Sequence, residues 1–364
     1  MLDLRIYRAA FVPILLVLAV VAFSLQTRPG PMTSDVAPDA FDAARAFRLL
    51  GDLSQRYPDR APGSQGDLAL AGAVQRTFQA AGFEVSTTDT TAETIDGERT
   101  LRTVVAARPG SVDRALVVLA HRDAATAPAK AQLSATAALM EAVRVLKDLP
   151  LKKDVWLVHL TGEEFPADGL GTRALAKALV NGEPLIEGRP NPRIAGMFVL
   201  DMVAHHTDRK PGAPEPARAI LQISPGRGKA AATLALTAHR AALTWNERMK
   251  QENWDEQFQR KATWKRYQIP RRKGPLTFPD PVLGKYLPLS AEIRPDWHLR
   301  SSLYNTDAQI YSDMGIPVVL FMENYDINRK GYHDTQDTIE NIDLDFGRGV
   351  VSIAIEAVAQ AALR

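Results

Sequence analysis

The segment Asp154-Val-Trp-Leu-Val-His-Leu-Thr-Gly-Glu-Glu164 decides how this chain is read. Val155 to Leu160 is a short, mostly apolar run rich in β-forming residues, the composition of a strand covered on both faces. Gly162 then turns the chain, and two carboxylates follow the strand's carboxyl end. Neighbouring residues at a strand end point to opposite faces, so Glu163 and Glu164 do different work unless the turn redirects one of them. Two carboxylates with separate roles suit metal-assisted hydrolysis, in which one holds a cation and the other takes a proton from water.

Outward from this segment, helical and strand patterns alternate. Helical spacing covers 39–56, 66–81, 134–149, 171–180, a stretch from 228 past 250, and 346–363. Strand-like runs fall at 83–88, 102–107, 115–120, 155–160, 196–200, 219–223 and 316–321. Strands separated by helices predict a largely parallel sheet covered on both faces, with sites at the carboxyl ends of its strands. The chemical residues fall at such ends. His121 and Asp123 follow one strand, Glu163 and Glu164 the next, Asp201 a third, and His333 lies a short loop beyond a fourth. Scattered surface charge would rarely deliver such a set to one edge.

Composition limits the chemistry. The 364 residues, 46% hydrophobic, are enough for one large α/β domain or two smaller ones. Lys and Arg number 44 against 42 Asp and Glu, so no global field steers the chain to nucleic acid or another polyanion. Cysteine is absent, which removes disulfides, thiolate metal sites and cysteine nucleophiles. Any metal must be held by His, Asp and Glu. At the N-terminus, Arg5 and Arg8 precede an apolar run from Ala9 to Leu25, and Arg28, Pro29 and Gly30 follow it. Residues 1–30 therefore read as a signal-anchor or a signal peptide ahead of a body at 31–364. An anchor would give a single-pass protein of the cell membrane with the body outside, and cleavage a secreted one.

The order Ala120-His-Arg-Asp123, Thr161-Gly-Glu-Glu164, Leu200-Asp-Met202 and Tyr332-His-Asp-Thr335 resembles the zinc aminopeptidases of peptidase family M28. Arg60-Ala-Pro-Gly-Ser64, Gly169-Leu-Gly-Thr172 and Gly315-Ile-Pro317 extend the resemblance, which runs as far as Asp343. It implies a central mixed, mostly parallel sheet flanked by helices, zinc-exopeptidase-like (phosphorylase/hydrolase-like), in a single domain beside an N-terminal apolar helix. It also implies two zinc ions at the sheet's carboxyl edge, with His121 and Asp201 on one and Glu164 and His333 on the other. Glu163 matches the general base, Asp123 the carboxylate behind the first histidine, and Tyr332 a phenol that donates to the developing oxyanion. The implied substrates are peptides.

The sequence departs from that pattern at one position. The family's metal-bridging aspartate aligns with Ala131, followed by Gln132, and no acidic residue stands between Asp123 and Glu141. Each zinc then keeps two protein ligands, below the three usual for catalytic zinc. Three outcomes stay open. One ion could be held by a mixed set from His121, Glu164, Asp201 and His333; Asp123, His205 or His206 could complete a pair; or the metal could be lost, leaving an extracytoplasmic peptide-binding module. The expectation is a metal-dependent aminopeptidase with one or two Zn²⁺. A single-zinc aminoacyl-transfer cyclase and the inactive binding protein are the alternatives.

The other conspicuous residues read first as structure. His159 lies inside a strand and reads as a core imidazole, His239 as helix packing, and His298 as a loop residue. An insertion at about 205–300 carries Arg260, Lys261, Lys265, Arg266, Arg271, Arg272 and Lys273 with no acid between Gln257 and Asp280, a solvated arm or a lid over the cleft. Asp307 matches an acidic family position, with Ala308 where a histidine is usual. Asn324 and Tyr325 are candidates to reach the substrate's amine or backbone.

Overall fold

The computed structural model describes residues 11–20, 29–34, 36–37, 40–125, 130–205, 220–259, 289–323, 337–339 and 342–363. Met1–Gly30 and Pro31–Arg364 are separate compact units. In the first, Phe11–Val20 is helical (α1).

The second unit opens with α2 (Ala43–Arg56) and α3 (Gln65–Ala80), and each start is capped from the sequence. Asp42 Oδ1 accepts the Arg45 N–H at 2.9 Å, and Ser64 Oγ the Asp67 N–H at 3.2 Å. Then come β1 (Glu84–Thr94), β2 (Gly97–Arg108), β3 (Val112–His121), α4 (Lys130–Leu146), β4 (Lys153–Leu160), α5 (Leu170–Asn181) and β5 (Arg193–Leu200). After these follow β6 (Ile220–Pro225), α6 (Lys229–Gln259), β7 (Ser290–Ile293), a 3₁₀ turn (Leu303–Asn305), α7 (Ala308–Asp313), β8 (Val318–Glu323) and α8 (Leu344–Leu363).

The strands form one eight-stranded mixed sheet in the order β1-β2-β4-β3-β5-β8-β6-β7. Its centre, β4-β3-β5-β8, is parallel, whereas β2 meets β4 and β6 meets β8 antiparallel. Both faces are covered. Leu116, Val118 and Ala120 of β3 join the core under α2, α3, α4, α6 and α8, while Ala115, Val117 and Leu119 join the core under α5 and α7. That alternation within an unbroken apolar strand is what burial on both faces requires.

Among the described residues, the helix long and apolar enough to cross a membrane is α8 at the C-terminal end, and 83% of its apolar window is buried, as in a core helix. Phe11–Val20 is a shorter apolar helix within the run at 9–25. One expectation is corrected: the β1–β2 ribbon runs well past the short stretches expected at 83–88 and 102–107, because exposed Thr and Glu residues continue the ladder to a two-residue turn between Thr94 and Gly97.

The parallel centre places the ends of β3, β4 and β5 side by side. Gly162 and Gly171 allow the turn after β4 to lie against the start of α5. Gly162 has φ +91°, and a Cβ on Gly171 would sit 1.8 Å from the Thr161 carbonyl oxygen.

Candidate functional site

His121 closes β3 with its ring buried, 3% exposed. Its Nε2 lies 3.4 Å from Glu163 Oε2 and 3.4 Å from Asp201 Oδ1, and its Nδ1 3.5 Å from Asp123 Oδ1. One ligand atom each from His121, Glu163 and Asp201 falls within 4.8 Å of the other two, the spacing of side chains around a single metal ion.

Each member is held by the fold. Thr136 on α4 donates to the His121 carbonyl at 2.8 Å. Asp123 Oδ2 accepts the N–H groups of Gly162 at 3.0 Å and Glu164 at 2.9 Å, which ties the end of β3 to the turn after β4. His121 Nδ1 faces Asp123 Oδ1 at 3.5 Å, and a proton held on that side would leave the Nε2 lone pair facing the cluster for a metal. The Asp201 N–H bonds the Phe321 carbonyl across β5 and β8 at 3.1 Å, and Met202, next in sequence, is left-handed at φ 42°. Glu163 Oε1 accepts the Asp307 N–H at 3.1 Å, which leaves Oε2 turned to His121. The Asp307 carboxylate is buried and accepts from the Thr172 hydroxyl.

The site holds more negative charge than one imidazole can balance. Burial raises Glu163 well above the ordinary range, with Asp307, Asp201 and Glu164 adding to it and His121 opposing. Burial likewise pushes Glu164 up to about 8 and Asp307 up to about 7. For His121 burial acts downward, but Glu163, Asp123 and Asp201 outweigh it and hold the ring well above its usual value. Asp123 is the exception among the acids: burial pushes it up, yet His121 brings it below normal. Carboxylates crowded around one neutral-to-cationic nitrogen, with hard oxygen and imidazole donors, fit a divalent metal such as zinc.

Position 131 falls in the first turn of α4. The next acid on that helix, Glu141, is committed elsewhere: it meets Arg45 at 3.0 Å and Arg144 at 2.7 Å. Nothing on α4 therefore substitutes for the bridging carboxylate. His333, Tyr332, His206, Asn324, Tyr325 and the basic stretch 260–273 lie outside the described residues.

The remaining histidines separate clearly. His205 is brought not to His121 but to Glu323 at the end of β8, Nδ1 to Oε2 at 3.4 Å. His159 is fully buried against Phe78, and burial lowers it to about 3, so it is a neutral core ring. His239 on α6 is lowered by burial, and His298 accepts the Arg300 N–H in an exposed turn.

A buried ion pair behind the site was not anticipated. Arg122, between His121 and Asp123, bonds Asp67 Oδ1 at 2.8 Å and the Arg102 carbonyl at 2.6 Å, and the Ala124 N–H bonds the Arg60 carbonyl. The Ser64-x-x-Asp67 start of α3 marks a helix cap, with Asp67 Oδ2 accepting the Gly63 N–H at 3.1 Å, but does not point to Arg122.

The fold is similar to that of Fimbriiglobus ruber glutaminyl cyclase, at 17% identity and TM-score 0.58 over 92% of this chain and 98% of that one. It is similar to a leucine aminopeptidase precursor from Bacteroides thetaiotaomicron, at 13% identity and TM-score 0.59 over 89% and 99%. A Zn-dependent exopeptidase from Parabacteroides distasonis matches at 15% identity and TM-score 0.56 over 87% and 98%. No curated protein sequence matches. Residues 103–254, which carry β3, β4, β5 and the ends that present His121, Glu163, Glu164 and Asp201, match the model of peptidase family M28, in agreement with the motifs within that stretch.

Proposed function

We propose that this chain is a metal-dependent exopeptidase that hydrolyses the N-terminal bond of peptides. The observation that carries the reading is the convergence of His121, Glu163 and Asp201 within 4.8 Å of one another at adjoining strand ends. His121 and Asp201 would hold one zinc ion, and the resemblance assigns Glu164 and His333 to a second. A zinc ion held there would supply Lewis acidity, polarising the scissile carbonyl and acidifying a water. Glu163 Oε2 accepts that water's proton and returns it to the departing amine nitrogen, because Oε1 is already engaged by the Asp307 N–H. Asp123 keeps the His121 lone pair on Nε2. Tyr332 donates to the carbonyl oxygen as charge develops.

One observation favours a second reading, aminoacyl-transfer cyclisation at an N-terminal glutamine. Among the described residues only one group of side chains is spaced for a metal, and α4 offers no bridging acid. Intramolecular attack by the substrate's own amine needs a proton acceptor like Glu163 and a single ion. Under either reading, the apolar run at 9–25 makes the chain an exported protein, tethered by that segment or released by its cleavage.

The test uses the body, residues 31–364, loaded with zinc. Metal analysis counts the ions, and incubation with aminoacyl-peptides and with Gln-peptides separates released amino acid from released ammonia. Glu163→Gln is expected to retain metal and lose turnover by about a thousandfold. No bound zinc after reconstitution, or equal rates for variant and wild type, would overturn the reading in favour of a binding protein.

A further inference from the structure

A cleft runs outward from Glu163 between α5 on one side and the Tyr304–Asp307 segment with α7 on the other. It encloses about 1290 Å³ of empty space, open solvent included. Its inner end is acidic, lined by Glu163 and Asp307 beside the carboxylate cluster.

The α5 wall has the opposite sign. Arg173 and Lys177 line the cleft and are exposed. Four positions apart, they project from one helix face about 6 Å from each other along the axis. Like charges at this spacing disfavour the helix slightly, and among the described residues no carboxylate pairs with either. The facing acids are engaged. Asp313 accepts from Gln309 Nε2 at 2.8 Å and meets Arg227 Nη1 at 3.3 Å, and Asp307 is taken by Thr172. Asp168 at the rim contributes one negative charge against two positive ones.

From this polarity we infer a carboxylate subsite on α5, at which Arg173 and Lys177 receive a carboxylate of the substrate downstream of the reacting residue. The inference rests on the exopeptidase reading for the direction of the peptide: its ammonium group goes to the acidic end, and the chain then passes along α5. The preferred substrates are short peptides that carry a negative charge one or two residues beyond the N-terminus. That charge comes from an acidic side chain or from the free C-terminus.

Three dipeptides distinguish the sources: Leu-Ala with a free C-terminus, Leu-Glu-amide, and Leu-Ala-amide. In the zinc-loaded wild type, at least one carboxylate peptide is expected to show a KM about tenfold below that of the neutral amide, as two exposed charge contacts would give. The advantage shrinks with added salt. Arg173→Gln/Lys177→Gln brings the carboxylate peptides to the neutral peptide's level, with kcat moving less than KM. The same three peptides titrated calorimetrically into Glu163→Gln protein give the ratio of Kd values without turnover. If wild type cleaves none of them, the exopeptidase reading fails while the Kd ratio still decides the subsite. Equal KM and Kd values across the three peptides, or an advantage that survives the double substitution, would overturn the subsite itself.

Discussion

Replacing Asp123 tests the site where orientation and stability meet. Its carboxylate is 1% exposed, with Oδ2 accepting two backbone N–H groups and Oδ1 facing His121 Nδ1. In Asp123→Asn the amide oxygen can keep the backbone bonds only if the NH₂ turns to His121. The ring must then accept at Nδ1 and carry its proton on Nε2, the nitrogen that faces Glu163 and Asp201. Metal affinity should fall about 10- to 100-fold, the usual cost of losing such a partner, with little change in fold. Asp123→Ala removes both acceptors and leaves two buried N–H groups unpaired, which costs on the order of 2–6 kcal/mol. Zinc competition against a chromophoric chelator measures the first effect, and urea unfolding of metal-free protein the second. Wild-type zinc affinity in Asp123→Asn, or a loss of stability under about 1 kcal/mol in Asp123→Ala, would refute the reasoning.

Glu164 and Asp307 have folded values of about 8 and about 7, raised from 4.5 and 3.8. Each therefore contributes stability that is full below its unfolded value and is lost as pH rises through its folded value. Metal-free protein should be clearly less stable at pH 8 than at pH 5, with Glu164→Gln flattening the slope; unfolding curves that coincide at the two pH values would count against it. The strap at the start of the body is a separate test. The Met32 N–H donates to Thr244 Oγ1 at 2.7 Å, Gln360 Nε2 to the Thr33 carbonyl at 2.6 Å, and Arg248 Nη1 to the Val36 carbonyl at 2.7 Å. Beginning the chain at residue 38 instead of 31 should cost on the order of 3 kcal/mol in chemical unfolding, and an unchanged midpoint would show that the strap is dispensable.

Much of the architecture was legible because strands buried on both faces leave long apolar runs. Val155–Leu160 and the run at 115–120 could be read at once, together with the polar residues that end them. The β1–β2 ribbon was harder, since Ser86 to Glu93 is polar and half in water and lacks the alternation that marks a one-sided strand. Strand β7, four residues long, gave no periodic signal at all. The Asp67–Arg122 pair was hidden for another reason: two charges fifty-five positions apart are each ordinary in sequence and become a buried pair only when α3 closes over the end of β3.

The sequence alone determined the kinds of side chain present and their place at strand ends. Absence of cysteine limited metal donors to imidazole and carboxylate, and Ala131 removed one carboxylate from the family pattern. Which of those donors meet was decided only by tertiary structure. A strand's residue pattern says which way a side chain leaves the sheet, but not which strands lie beside it. The parallel order β4-β3-β5 and the Gly162 turn brought Glu163 Oε2 to His121 and Asp201, and the Asp307 N–H held its other oxygen. The opposite polarity of the α5 wall likewise arises because the fold sets that helix beside the cluster, and helical spacing puts Arg173 and Lys177 on the face that the cleft exposes.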